Sequence, residues 1–135
     1  MPVEHWDAVL PDEVLTRLTR QHPNVLVVGP PAFTNAALRQ IEPLVQHPIA
    51  WWVPDVKRTI PRGAFATLFV GRLDTADTEQ QSHLWQWFDT YPGHVQVVST
   101  AVTPLFPMIQ TGRFLEALYY RLNHVCVLSD PLAQS

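Results

Sequence analysis

The chain has 135 residues and a formal net charge of −3; 47% of its residues are hydrophobic and 16% are charged. This length predicts one domain, and the apolar content excludes wholesale disorder. The net negative charge does not indicate a basic surface that binds nucleic acid. No apolar run reaches the roughly 20 residues that a membrane-spanning helix needs. A single cysteine excludes an internal disulfide, and the first residues lack the pattern of a signal peptide, so we expect a cytoplasmic location.

The hydrophobic pattern predicts strands and helices in alternation. Five short apolar runs predict buried strands: Asn24–Gly29, Ile49–Val53, Ala66–Val70, Val95–Thr100 and His124–Leu128. Apolar residues at helical spacing predict helices before and between them: Asp12–Arg20, Phe33–Val45, Thr78–Phe88, Pro104–Gln110 and Arg113–Leu122. This alternation predicts an α/β fold, a three-layer αβα sandwich around a mainly parallel sheet of about five strands.

Polar residues after the third predicted strand indicate how the next helix begins. Asp74 and Asp77 are both interpreted as capping residues of that helix. Asp77 and Gln80 also have the spacing of a capping box, in which each side chain accepts a hydrogen bond from the backbone of the other residue.

Tryptophan and cysteine residues are interpreted first as core residues. The pairs Trp51–Trp52 and Trp85–Trp87 predict core packing, with an exposed tryptophan that anchors a protein partner as the alternative. Cys126 lies in an apolar run and is predicted to be a buried small hydrophobic residue.

Motifs for metal binding and hydrolysis are missing from the sequence. None of the six histidines is paired with another histidine or with the cysteine at a metal-binding spacing, so no metal site is predicted. No Gly-x-Ser-x-Gly motif follows a predicted strand, so nothing supports a serine hydrolase.

The segment Gly112–Asn123 reads Gly-Arg-Phe-Leu-Glu-Ala-Leu-Tyr-Tyr-Arg-Leu-Asn. It resembles the signature G-x-F-R-x-D-L-Y-Y-R-L-N of the AAA+ ATPase domain of sigma-54-dependent transcription activators. In that family the segment carries arginine fingers that enter the ATP site of a neighbouring subunit. Arg121 matches the second arginine, whereas Leu115 replaces the first and Ala117 replaces the acidic residue.

The resemblance extends over most of the chain and implies a P-loop NTPase-like sheet. The family's nucleotide loop, G-E-S-G-T-G-K-E, corresponds to Gly29-Pro-Pro-Ala-Phe-Thr-Asn-Ala36. Only the first glycine of the motif matches. Thr34 replaces the last glycine of the motif, Asn35 replaces its lysine, and Ala36 replaces the residue after the lysine. Prolines 30 and 31 also remove N–H donors that would face phosphates. We therefore expect no binding of ATP or magnesium.

Two further elements lack the residues that ATP hydrolysis needs. The third predicted strand resembles the G-G-T-L-F-L-D-E-I strand of the family, but Gly71 and Arg72 replace its two carboxylates. Val102 replaces the asparagine that senses the γ-phosphate. Without these carboxylates the resemblance implies neither a magnesium site nor a general base, so an enzyme is not expected.

The resemblance as a whole implies a single degenerate AAA+ domain over residues 1–135, without the sigma-contact loop and the lid subdomain. We interpret it as a catalytically inactive protein-interaction or regulatory module in bacterial transcription control, of the kind found in two-component response regulators. The partner would be an intact AAA+ activator or a second copy, without direct contact to nucleic acid or membrane.

Two alternatives stay open. The first is a nucleotide-binding ATPase domain of a sigma-54-dependent regulator in a mixed ring, with Arg121 supplied in trans to a neighbour. The second is a structural domain within a larger signalling protein. Arg121 itself has a simpler interpretation, in which it pairs with Glu116 and covers apolar surface.

Overall fold

The computed structural model describes residues 10–90 and 94–129. Five strands form one sheet: β1 (Val25–Val28), β2 (Ile49–Trp52), β3 (Thr67–Val70), β4 (Gln96–Ala101) and β5 (Val125–Leu128). Their order is β2-β3-β4-β1-β5, and every pair of neighbours is parallel. Continuous apolar runs suit strands that are covered on both faces. The predicted parallel sheet of about five strands is confirmed.

Five α-helices connect or flank these strands: α1 (Asp12–Gln21), α2 (Pro31–Ile41), α3 (Thr78–Thr90), α4 (Phe106–Gln110) and α5 (Glu116–Leu122). Short 3₁₀ turns cover Glu42–Leu44 and Leu73–Thr75. The predicted helices are confirmed with shifted ends. The second begins earlier, because proline is favoured in the first helical turn, and it passes into the 3₁₀ turn that contains Pro43. The last begins at Glu116 rather than at Arg113.

Two hydrophobic cores lie on the two faces of the sheet. One includes Leu84 of α3 together with Leu118 and Leu122 of α5, and the other includes Leu18 of α1 and Ile41 of α2. Helices therefore cover both faces, as the predicted three-layer sandwich requires. Among the described residues, no helix combines the length and the apolar character that a membrane crossing needs.

Strand order decides which apolar side chains are exposed. Trp52 on β2 is buried, but its neighbour Trp51 is 52% exposed and packs edge-on against Phe69, with ring centroids 4.5 Å apart. Trp85 and Trp87 are partly buried against the core that contains Leu84. Core packing is thus confirmed for three tryptophans and is wrong for Trp51, because β2 is an edge strand.

The prediction for Cys126 is also wrong, since this residue is exposed. β5 is the other edge strand of the sheet. Its side chains alternate between buried Val125 and Val127 and exposed Cys126 and Leu128. The apolar run was therefore a reliable sign of a strand, but not of a strand covered on both faces.

The predicted capping box at the start of α3 is confirmed. The backbone N–H of Gln80 donates to Asp77 Oδ1 at 2.8 Å, and that of Asp77 donates to Gln80 Oε1 at 3.0 Å. The hydrogen bond from the Gln80 N–H, followed by that from the Arg58 guanidinium, lowers the pKa of Asp77 below its usual value. Gln80 Nε2 also donates to the Pro54 carbonyl at 3.0 Å, which attaches the loop after β2 to this helix.

Candidate functional site

The connection between β1 and α2 contains the segment that was predicted to correspond to the nucleotide loop. Only Gly29 and Pro30 separate the two elements, so the chain passes from strand to helix without a wide loop. The N–H groups of Phe33 and Thr34 both donate to the Pro30 carbonyl, at 2.9 and 3.0 Å. Pro30 and Pro31 have no N–H to offer. The start of this helix therefore lacks most of the free donors that hold a phosphate at a helix N-terminus.

Side chains also enclose Gly29. A Cβ atom at this position would lie 2.8 Å from Phe33 Cδ2 and 2.8 Å from Ser129 Oγ. Both neighbours are buried, Phe33 in the first turn of α2 and Ser129 directly after β5. The crevice at the carboxyl ends of parallel strands is the usual ligand site of such sheets. Beside Gly29 this space is filled by the protein itself.

The other residues predicted for this loop, Thr34, Asn35 and Ala36, lie in the first two turns of α2. Thr34 is buried, and its hydroxyl donates to the Pro31 carbonyl at 3.2 Å. Ala36 is buried in the α2 interface with the sheet, whereas Asn35 is exposed. Asn35, at the position that corresponds to the family's lysine, therefore faces solvent on the outer side of the helix.

Gly71 and Arg72 follow β3, where the family has its two carboxylates. Gly71 N–H donates to the Trp52 carbonyl at 2.8 Å, and Arg72 adopts a left-handed backbone conformation with φ of 54°. Arg72 N–H donates to Thr100 Oγ1 at 3.1 Å, which connects the end of β3 to β4. The backbone of this segment is fixed by neighbouring strands.

Asp74 provides the partner of Arg72 that the sequence did not reveal. The guanidinium lies 3.3 Å from the Asp74 carboxylate, whose side chain is only 7% exposed. The same carboxylate accepts a hydrogen bond from Val102 N–H at 3.3 Å. The interpretation of Asp74 as a cap of the next helix is therefore wrong, because its side chain turns to Arg72 and β4. Within residues 10–90 and 94–129, no cluster of three His, Cys, Asp or Glu side chains has a metal-binding arrangement.

Arg121 lies against α3 rather than extending into solvent. Its guanidinium carbon is 4.5 Å from the ring centroid of Phe88 and 5.5 Å from that of Trp85. Nη1 is 3.4 Å from Asp89 Oδ1, and 37% of the side chain is exposed. The ion pair forms with Asp89, so the expected pairing with Glu116 is wrong. The expected cover of apolar surface is observed, and it adds a cation–π attraction.

Two buried amides, which sequence reasoning missed, hold the segment around Arg121. Gln81 Nε2 donates to the carbonyls of Ala76 and Arg113 at 2.9 and 3.0 Å, while its Oε1 accepts from Leu115 N–H at 2.8 Å. Leu115, at the first arginine position of the family, packs against the core, and Ala117 is exposed. The only local signal was a glutamine on the helix face that also carries Leu84.

Asn24, directly before β1, is the second buried amide. Its Oδ1 accepts from Val97 N–H at 2.8 Å, and its Nδ2 donates to the Arg121 carbonyl at 2.9 Å. One side chain thus joins the start of β1 to β4 and to the end of α5. Arg121 is therefore held in place by the contacts of its side chain and by the hydrogen bond that its carbonyl accepts from Asn24.

Comparison with known proteins relates this geometry to solved structures. No family model and no curated protein sequence matches the chain. NtrX from Brucella abortus in complex with ATP is similar, with a TM-score of 0.72 and 18% identity over 90% of this chain and 34% of NtrX. Its complex with ADP gives a TM-score of 0.71 and 20% identity over 90% and 35%. The P-loop NTPase domain of the sigma-54 transport activator from E. coli gives 0.60 and 17%, over 84% and 95%.

The chain has a P-loop NTPase-like fold. The resemblance to sigma-54 activators that the sequence motifs indicated is confirmed at the level of this fold. The chain spans about a third of the length of the NtrX chains and nearly all of the E. coli domain. Because the sequence identities are only 17% to 20%, the similarity establishes the arrangement of strands and helices. A function for this chain depends on its own residues.

Proposed function

We propose that this chain is a catalytically inactive relative of the AAA+ domain of sigma-54 activators, acting as a protein-interaction or regulatory module in bacterial transcription control. The observation that carries the proposal is the enclosure of Gly29 by Phe33 and Ser129. Phe33 and Ser129 leave no free space next to the Cα of Gly29, and the two prolines after it would offer a phosphate chain no N–H groups.

The chemistry beyond β3 supports the same conclusion. Hydrolysis of ATP in this fold uses a carboxylate that organises magnesium and a residue that positions the attacking water. At these places stand Gly71, which has no side chain, and Arg72, whose guanidinium pairs with Asp74. Neither residue can act as a general base.

An interaction role is supported by the apolar side chains that the fold leaves exposed. Trp51, Val56, Tyr120 and Leu128 are each more than half exposed. Aromatic side chains such as those of Trp51 and Tyr120 are enriched at protein interfaces. The partner under this proposal is an intact AAA+ activator or a second copy of the chain.

Calorimetric titration with ATP and magnesium tests the loss of nucleotide binding. We expect no measurable binding at nucleotide concentrations up to about 1 mM. At this concentration even a weak complex, with a binding free energy of roughly −4 kcal/mol, would be detected. NtrX from Brucella abortus, whose structure contains ATP, is the positive control. A micromolar dissociation constant for this chain would contradict the proposal.

The alternative, an ATPase domain that works in a mixed ring, needs Arg121 to reach a neighbour's nucleotide. In this structure that would require Arg121 to leave Asp89 and the rings of Phe88 and Trp85. We expect Arg121→Ala to lower the free energy of unfolding by about 0.5–1.5 kcal/mol, because a partly exposed cation–π contact and an exposed ion pair are lost.

Urea denaturation measures this change, and Arg113→Ala provides the control. Arg113 is exposed and makes no ion pair in the described part of the chain, so its removal should change stability by less than about 0.5 kcal/mol. If both variants left the free energy of unfolding unchanged, Arg121 would not stabilise the domain. The mixed-ring alternative would then be favoured.

A further inference from the structure

A cavity of about 210 Å³ opens where three parallel strands begin, at the opposite end of the sheet from Gly29. Its lining comes from the starts of β1, β4 and β5 and from the last turns of α3 and α5, and it includes Asn24, Trp87, Phe88, His94, Arg121 and His124. The volume is below the roughly 300–1,000 Å³ of pockets that hold drug-sized molecules, so the cavity fits a ligand with a single ring.

The polar side chains of this cavity offer mainly hydrogen-bond donors. Every nitrogen of the Arg121 guanidinium carries hydrogen, and within the described residues only Nη1 has a partner, Asp89. His124 Nδ1 accepts from the Asn24 N–H at 3.4 Å, so the neutral imidazole has its proton on Nε2. His94 is exposed and makes no hydrogen bond or ion pair in the described part of the chain. Both amide atoms of Asn24 are already used.

One acidic group contacts these donors. Asp89 Oδ1 is 3.4 Å from Arg121 Nη1, and the Asp89 side chain is 63% exposed. An exposed ion pair of this kind is weak, so it is easily displaced. Asp89 is not among the described residues that line the cavity. The other guanidinium nitrogens of Arg121 are therefore left for a second carboxylate, which a guanidinium can bind through two parallel hydrogen bonds.

Aromatic rings form the apolar wall of the cavity. Trp87 and Phe88 both line it, with their ring centroids 5.4 Å apart. Phe88 also holds Arg121, whose guanidinium carbon lies 4.5 Å from the centroid of the phenyl ring. This contact keeps the cation beside an aromatic surface. The donors of Arg121 thus lie next to a surface on which a flat ring can pack.

We propose that this cavity binds a small aromatic carboxylate. The carboxylate of the ligand accepts hydrogen bonds from Arg121 and from the two histidines, and its ring packs against Trp87 and Phe88. A donor set of this kind selects an anion over a neutral amide, because the NH₂ group of an amide would face other donors. The proposal goes beyond the interaction function and does not depend on it, since the cavity is remote from Gly29.

Two-dimensional NMR titration of the full chain with benzoate tests this site. We expect saturable shifts at the indole N–H of Trp87 and at the backbone N–H groups of Val95 and His124, with a dissociation constant of about 1 mM or lower. Benzamide keeps the ring without the charge, and acetate keeps the charge without the ring. Each should bind at least about fivefold more weakly than benzoate.

Two variants separate the contributions of the donors. Arg121→Gln should weaken benzoate binding by about tenfold, because the charged, bidentate partner is lost. Arg113→Gln is its matched control: this arginine is exposed outside the cavity, so less than about a twofold change is expected. His94→Ala removes no contact of the described fold and should weaken binding by about threefold. His83→Ala, at an exposed residue of α3, is the control for His94.

Several outcomes would overturn the proposal. One is the absence of saturable shifts at benzoate concentrations up to about 10 mM. Another is equal affinity for benzoate and benzamide, and a third is a benzoate affinity that Arg121→Gln and His94→Ala both leave unchanged. Shifts confined to residues outside the cavity, such as those around Gly29, would count equally against it, because the ligand would then bind elsewhere.

Discussion

Replacement of Gln81 by leucine is expected to lower the free energy of unfolding by about 3–5 kcal/mol. The side chain is fully buried and makes three hydrogen bonds, to the Ala76 and Arg113 carbonyls and from the Leu115 N–H. Leucine has a similar size but no polar atoms, so three backbone groups lose their partners. Each buried group left unsatisfied costs about 1–3 kcal/mol, and partial access of water lowers the total.

Urea denaturation followed by circular dichroism measures this effect. Gln86→Leu is the control, because Gln86 is an exposed residue of the same helix and its replacement should change stability by less than about 0.5 kcal/mol. If both variants were equally stable, Gln81 would not hold the start of α5. The segment that resembles the arginine-finger signature would then owe its conformation to packing alone.

Replacement of Asn24 by alanine is expected to cost about 2–4 kcal/mol. The substitution removes the acceptor of Val97 N–H and the donor to the Arg121 carbonyl, and both bonds lie at the amino-terminal ends of the strands. The estimate follows from one buried and one partly buried backbone group, at about 1–3 kcal/mol for each group left without a partner. Thermal unfolding monitored by calorimetry gives the change.

Asn35→Ala is the matched control for Asn24. Asn35 is exposed on α2, so the same substitution there should be nearly neutral. A loss of stability at Asn35 as large as that at Asn24 would show that Asn35 has a structural role, which its exposure on the outer side of α2 does not suggest. The pair therefore tests whether the buried bridge at Asn24 stabilises the fold.

Both large effects concern the segment that first suggested a nucleotide-hydrolysing ancestor. Gln81 fixes its beginning at Leu115, and Asn24 fixes its end at Arg121. Three apolar residues of the signature pack in the fold: Leu118 and Leu122 are buried, and Tyr119 packs against the core, whereas Tyr120 is exposed. These residues of the signature therefore contribute to the fold through packing.

The sequence was sufficient for the order and type of the elements. Runs such as Val25–Val28 predict strands covered on both faces, and the pair Asp77 and Gln80 predicts the start of α3, because these signals act between residues close in the chain. The assignment of Asn35, Gly71 and Arg72 to motif positions of the family rests on the sequence alone and stays a prediction.

Only the tertiary structure decided which groups meet. It placed β2 and β5 at the edges of the sheet, which exposes Trp51 and Cys126. It brought Ser129 against Gly29 and Asp89 against Arg121. Local sequence patterns determine helices and strands through propensity and spacing. Exposure, pairing and the filling of a crevice depend on the strand order, which brings together residues that are far apart in the sequence.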